Sequence, residues 1–129
     1  MDDLFTKSRS ISLPRKILAG HDVLSQLGDV CKEFELKSPA LMVTGSTTAA
    51  LAGKPVADIM IASGYETQTA QVGEATSESV SQMAELAKET KARFLLGVGG
   101  GNKIDIAKMA ATQLRVPYIS IPTSASHDG

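Results

Sequence analysis

The stretch FLLGVGGGNKIDIAK, from Phe94 to Lys108, decides how the chain folds. It opens with an apolar run, FLLGV, that has the length and composition of a strand buried on both faces. Three glycines follow, and beyond them apolar residues recur on one helical face at Ile104, Ala107, Ala110, Ala111 and Leu114. The pattern predicts a strand that turns through Gly99, Gly100 and Gly101 into a helix.

A turn of this kind is suited to binding phosphate. The first backbone N–H groups of a helix have no partner within the helix, and the positive end of the helix dipole lies at the same place. Glycine lets a phosphate approach the backbone closely and allows positive φ. We therefore predict a cofactor cradle at Gly99–Gly101. The turn is neither G-x-G-x-x-G nor the Walker sequence, and a tight connection without a ligand remains an alternative.

Composition limits the classes of function. The chain has 129 residues, enough for one domain, and its 13 basic and 14 acidic residues leave it nearly neutral, which argues against a nucleic-acid partner. No apolar run has membrane-spanning length, and MDDLFTKSRS lacks the apolar core of a signal peptide. The single cysteine, Cys31, falls on an apolar helical stripe and is expected to be buried. These features predict a cytoplasmic protein without a membrane span.

Strands and helices alternate along the rest of the chain. Apolar or alternating runs predict strands at Pro39–Val43, Tyr65–Val72 and Tyr118–Ile121, with short strands of an edge arm at Ile11–Leu13 and Lys16–Ala19. Helical spacing predicts a helix that Asp22 can cap and that runs to about Phe34 or Glu35. It also predicts a helix from Ala49 to Ser63 with a division at Gly53 and Pro55, and another opened by the Ser/Thr caps of Thr76–Ser79. The alternation predicts an α/β fold: a Rossmann-like parallel sheet with helices on both faces.

Ligands of such sheets lie beyond the carboxyl ends of the strands, so Thr44–Ser46, Gly99–Gly101 and Thr123–Asp128 should meet in one crevice. In dinucleotide folds an acidic residue often follows such a strand and hydrogen-bonds the 2′-hydroxyl of the adenosine ribose. Here that position carries Gly45 and hydroxyls, and the nearest acid, Asp58, lies inside the next helix. We therefore predict that NADPH is accepted as well as NADH. The alternative is that Thr44–Thr48 only cap the following helix.

The segment PTSASHDG is too polar for a core. Hydroxyls in it can bond cofactor phosphates or the nicotinamide amide, and Asp128 can accept hydrogen bonds from a polyol or help to hold a metal. His127 and Asp128 alone are too few for a catalytic zinc site, which usually has three protein ligands. A polar loop without a ligand is the alternative.

Together, GGGNKIDIAK and YISIPTSASHDG resemble the N-terminal part of the sn-glycerol-1-phosphate dehydrogenases, which set the stereochemistry of the archaeal lipid backbone. This family belongs to a group with glycerol dehydrogenases, iron-type alcohol dehydrogenases and dehydroquinate synthases. The pattern GGGxxID-x-AK is shared across much of that group, whereas IPTSASHDG, helped by ISLPRKI, points to the glycerol-1-phosphate branch. The resemblance covers essentially the whole chain but only about the first third of a family member.

The resemblance implies reversible, NAD(P)H-dependent reduction of dihydroxyacetone phosphate to sn-glycerol 1-phosphate. Residues that match the family's pyrophosphate turn are Gly99, Gly100, Gly101, Asn102, Lys103 and Asp105. Residues that match its second cofactor segment are Thr123, Ser124 and Ser126, and Asp128 matches the position that orients substrate hydroxyls. The family's Zn²⁺ ligands, an Asp and two His, belong to a C-terminal helical domain that is absent from this chain.

We therefore expect residues 1–129 to be the dinucleotide-binding domain of a larger enzyme, a fragment that binds cofactor without catalysing. The full-length enzyme is expected to be a homo-oligomer. Two alternatives stay open: another branch of the group, such as a glycerol or polyol dehydrogenase or a dehydroquinate synthase, and a nucleotide-binding or structural module without catalysis.

Overall fold

The computed structural model describes residues 23–46 and 53–122. In these residues helices and strands alternate in the order α1 Val23–Glu33, β1 Ala40–Thr44, α2 Lys54–Ala62, β2 Thr67–Gln71, α3 Ser77–Glu89, β3 Phe94–Gly99, α4 Gly101–Leu114 and β4 Tyr118–Pro122. The predicted edge arm, the predicted cap at Asp22 and most of the first half of the helix expected from Ala49 lie outside them.

The four strands form one parallel sheet in the order β2-β1-β3-β4. Each parallel return needs a crossover, and a helix supplies it in every case. β1 and β3 are buried along their whole length, because they occupy the centre of the described sheet. The predicted α/β fold with a parallel sheet is therefore confirmed.

Helices cover both faces of the sheet, as predicted. On one face, α1 and α2 pack Leu27, Cys31 and Met60 into a core with alternate strand residues such as Met42 and Phe94. On the other face, α3 and α4 pack against the intervening strand residues; this second core includes Leu41, Val43, Leu95, Val80, Met83, Ala107 and Ala110. Successive strand side chains point to opposite faces, which is why each central strand reads as a continuous apolar run.

The prediction that Cys31 is buried is confirmed. Its side chain is fully buried, and its Sγ lies 4.0 Å from Met60 Sδ. Burial raises the pKa of the Cys31 thiol to about 11, so the thiol stays protonated at neutral pH and has little nucleophilic character.

The largest difference from prediction is at β2, which is shorter than the expected Tyr65–Val72. Tyr65 is buried, but its amide donates to the Met60 carbonyl at 2.9 Å and its hydroxyl donates to the Leu36 carbonyl at 2.9 Å. Tyr65 therefore closes the end of α2 and caps the core, and the strand begins two residues later. β2 lies at an edge of the described sheet, and most of its residues are polar and exposed or partly exposed.

The starts of α2 and α3 fit local rules. α2 begins at Lys54, between the two residues expected to divide the helix, and Pro55 lies in the first turn, where its missing N–H costs no hydrogen bond. α3 begins after Thr76, whose hydroxyl accepts from the Ser79 amide at 3.0 Å. The predicted Ser/Thr cap is thus confirmed.

Candidate cofactor site

The turn between β3 and α4 leaves backbone amides open. Gly99 has a φ of 136°, a conformation that favours glycine, and Gly100 is extended with φ −81° and ψ −179°. The Lys103 and Ile104 amides both donate to the Gly100 carbonyl at 3.1 Å. The three amides before them, those of Gly100 to Asn102, have no protein acceptor among the described residues, and no side chain there caps the helix. Several N–H donors therefore lie together at the positive end of α4.

Gly97 sets the position of that helix. A Cβ on Gly97 would lie 2.9 Å from the Ala107 Cβ and 3.0 Å from the Ile104 Cα. α4 therefore packs directly against the backbone of β3, which fixes the direction of its N-terminal amides. The apolar pattern predicted Gly97 only as part of the strand and did not reveal this role. The available signal was a glycine inside a strand, which often marks a close approach of another backbone.

The carboxyl ends of β1 and β3 lie side by side at one edge of the sheet, where a crevice is predicted. Thr44 lies opposite Val98 in the parallel ladder, so Gly45 and the Gly99–Gly101 turn are at the same edge of the sheet. The chain moves from β1 to β2 on one side and returns to β3 on the other, so the strand order reverses at this point. Ligands of open α/β sheets bind at such a switch point.

The structure thus brings two of the three predicted segments together. Pro122, at the end of β4, pairs with Gly99. The residues that follow it, including Thr123, Ser124, Ser126, His127 and Asp128, lie outside the described residues, so their predicted place in the crevice stays a prediction.

Gly45 is buried beneath a lysine side chain. A Cβ on Gly45 would lie 2.7 Å from Lys103 Cε and 3.7 Å from Lys103 Nζ. The Lys103 ammonium donates to the Gly73 carbonyl at 2.8 Å. Lys103 therefore extends from α4 across the end of β1 to the loop that follows β2. Glycine at position 45 leaves room for this crossing, a packing role that the sequence did not reveal.

Thr44 contributes a buried hydroxyl without a partner. Its side chain is fully buried at the last position of β1, and Oγ1 makes no hydrogen bond with the residues that the structure describes. Leaving a buried hydroxyl unpaired costs about 1–3 kcal/mol, so such an atom points to a water or a polar ligand group. Strand alternation directs it to the face covered by α1 and α2, at the edge where the crevice opens.

The other two predicted turn residues lie on α4. Asn102 and Asp105 are exposed, and neither side chain makes a hydrogen bond or ion pair with the residues described.

Within residues 23–46 and 53–122, no three His, Cys, Asp or Glu side chains are close enough together to hold a metal ion. Over the same ranges, no helix combines the length and apolarity needed to cross a bilayer.

A parallel α/β sheet with a glycine turn at the reversal of its strand order is an arrangement in which many α/β proteins bind their ligands. Solved structures share this fold. The glycerol dehydrogenase of Schizosaccharomyces pombe matches 83% of this chain and 27% of its own chain, with a TM-score of 0.73 and 19% identity. The sulfoacetaldehyde reductase of Bifidobacterium kashiwanohense, solved in complex with NAD⁺, matches 84% of this chain and 34% of its own, with a TM-score of 0.70 and 18% identity.

The sequence comparison is more specific. Residues 18–129 match the family described as iron-containing alcohol dehydrogenase, and the chain belongs to that family. It is 51% identical over 119 residues to the glycerol-1-phosphate dehydrogenase [NAD(P)⁺] of Methanosarcina mazei, covering 92% of this chain and 33% of that protein. It is 42% identical over 125 residues to the protein of the same name from Thermoplasma volcanium, covering 97% and 36%. The resemblance to this branch is confirmed, and the chain spans about a third of the length of these relatives.

Proposed function

We propose that this chain is the dinucleotide-binding part of an NAD(P)-dependent sn-glycerol-1-phosphate dehydrogenase, which reduces dihydroxyacetone phosphate reversibly. The observation that carries the proposal is the row of amides at Gly100–Asn102, which have no protein acceptor within residues 23–46 and 53–122 and lie at the switch point of the sheet. The chain is 51% identical over 119 residues to a glycerol-1-phosphate dehydrogenase. This similarity supports dihydroxyacetone phosphate as the substrate over the substrates of other branches of the family.

The described residues fit a dinucleotide in a definite way. The amides of Gly100–Asn102 would bind the pyrophosphate, because charge-assisted N–H bonds and the helix dipole both favour an anion there. The adenosine ribose would lie over Gly45, where no carboxylate opposes a 2′-phosphate. The Thr44 hydroxyl would gain a partner, directly or through water. When bound, the nicotinamide cofactor supplies or accepts the hydride.

Residues after β4 complete the proposal. Thr123, Ser124 and Ser126 would bond the nicotinamide side of the cofactor, and Asp128 would orient substrate hydroxyls. The Zn²⁺ of the whole enzyme would be held by residues outside this chain, and the described residues offer no ligand cluster for it. The cytoplasmic location and the homo-oligomer also remain predictions for the whole enzyme.

A binding titration tests the cradle. A Cβ on Gly101 meets nothing described within 4 Å, and helical Cβ atoms lean toward the N-terminus, so Gly101→Val adds bulk at the amides without a clash in the fold. We expect NADH to bind the chain and Gly101→Val to weaken it about tenfold or more. Ser77→Val is the matched control, because Ser77 is the first residue of α3 as Gly101 is of α4, and its side chain is exposed.

Circular dichroism would establish that both variants fold. Absence of NADH binding by the unmodified chain, or wild-type affinity in Gly101→Val, would contradict the cradle.

The substrate is tested with the complete gene product: faster NADH oxidation with dihydroxyacetone phosphate than with dihydroxyacetone supports the proposal, and the reverse order favours a glycerol dehydrogenase. The isolated chain is expected to show no turnover.

A further inference from the structure

The side chain of Lys103 occupies an unusual place in the crevice. Its residue belongs to the first turn of α4, but its ammonium lies over Gly45 and bonds the carbonyl of Gly73, beyond β2. It thus brings a positive charge from the pyrophosphate turn to the ends of the two neighbouring strands.

No described carboxylate neutralises this charge. The ion pairs between side chains of the described residues are Lys54–Asp58 and Lys88–Glu85, both between neighbouring turns of their own helices. The position after β1, where dinucleotide folds often place an acid, is Gly45. An ammonium has three donors, and Gly73 is its acceptor among the described residues, which leaves two donors for a ligand anion.

The direction of the bound cofactor follows from the sheet. A ligand at the switch point lies across the ends of β1 and β3, with its pyrophosphate on the α4 amides. The residues proposed for the nicotinamide and substrate follow β4, on the opposite side of β3. With this orientation, the adenosine half would lie over β1, beside the Lys103 ammonium.

We propose that Lys103 is a specificity-determining residue that binds the 2′-phosphate of NADPH. The inference rests on the proposed dinucleotide site and assigns to it a cofactor preference. A phosphate near the ammonium gains a charge-assisted bond that a 2′-hydroxyl cannot match. The Gly73 carbonyl holds the flexible side chain in place before the ligand arrives, which lowers the entropic cost of the contact.

The test is a titration of NADPH and NADH with three proteins: the unmodified chain, Lys103→Gln and Lys108→Gln. Lys108 is exposed on the same helix, about 7.5 Å further along its axis. Lys108→Gln therefore removes the same charge as Lys103→Gln at a position away from Gly45. We expect Lys103→Gln to weaken NADPH about tenfold and NADH less than twofold, and Lys108→Gln to change both less than twofold.

A second measurement needs no variant. The unmodified chain should bind 2′,5′-ADP about tenfold more tightly than 5′-AMP, and added salt should reduce that ratio, because screening weakens exposed ionic contacts. Equal weakening of NADH and NADPH by Lys103→Gln, or equal affinity for the two adenosine nucleotides, would overturn the inference and leave the cradle intact. Failure of the unmodified chain to bind either cofactor would instead overturn the proposed function, and the inference with it.

Discussion

The first turns of α3 and α4 both follow a parallel strand, but they are completed in opposite ways. At α3 the Thr76 hydroxyl accepts from the Ser79 amide, and the Ser79 hydroxyl donates to the Glu74 carbonyl at 2.6 Å. At α4 the corresponding residue is Gly100, which has no side chain to offer. One helix start is closed by its own residues, and the other has amides with no acceptor among the residues described.

The difference also shows what holds each helix in place. A Thr cap contributes about 1 kcal/mol to a helix start, and α4 lacks that contribution. Its position depends instead on the close contact with β3 at Gly97, where Ile104 and Ala107 lie against the strand backbone. The start of α4 is therefore fixed by non-local packing, whereas the start of α3 is fixed by a local cap.

The largest expected effect comes from breaking that packing. Gly97→Val would place side-chain atoms into Ala107 and the backbone of Ile104, and we expect a loss of about 3 kcal/mol in the free energy of unfolding, measured by urea denaturation. Gly73→Val, with open space around its Cβ, should change stability by less than about 0.5 kcal/mol. If the two variants were equally stable, Gly97 would not be what positions α4.

A smaller effect is expected from opening the closed helix start. Thr76→Ala removes the acceptor for the Ser79 amide and should cost about 1 kcal/mol of unfolding free energy, while Thr76→Ser should retain most of it. NADH affinity should be unchanged in both. A parallel loss of NADH binding in Thr76→Ala would show that the two helix starts are not independent.

The smallest change in stability is expected from adding a capping side chain at the start of α4. Gly100 already has the extended geometry of an N-cap, so Gly100→Asp can accept from the α4 amides and should stabilise the chain by about 0.5 kcal/mol. The same carboxylate would repel and displace a pyrophosphate, so NADH affinity should fall at least tenfold.

Gly100→Asn provides the matched variant, with a capping side chain and no charge. It should weaken NADH less than Gly100→Asp does. Equal or tighter NADH binding by Gly100→Asp would contradict an anion seat at these amides.

Local patterns predicted much of the fold. The apolar run from Phe94 and the helical spacing up to Leu114 place β3 and α4 within a residue of their observed ends, because each pattern is decided by burial of neighbouring residues. Tyr65 shows the limit of such patterns. The alternation of apolar and polar residues from Tyr65 fitted a strand. However, Tyr65 bonds the Met60 carbonyl across the turn that ends α2 and the Leu36 carbonyl 29 residues earlier, and these contacts place it before the strand.

The candidate site was predictable in part for the same reason. The glycine turn and its place at the carboxyl edge follow from sequence and topology rules, and the structure places Gly45 beside that turn. The tight contact at Gly97 and the reach of Lys103 to Gly73 did not follow, because they depend on the exact separation of α4 from the sheet. The cofactor roles of all these residues remain predictions.

The strand order has a consequence for how the protein is maintained. β1 and β3 are adjacent in the sheet but separated in the chain by α2, β2 and α3, so their pairing closes a long loop and is slow to form. A partly folded chain without that pairing has no crevice, and a dinucleotide would then bind only the native state and stabilise it by mass action. The cellular supply of the nucleotide would thereby influence how much of the protein survives degradation, apart from any reaction it performs.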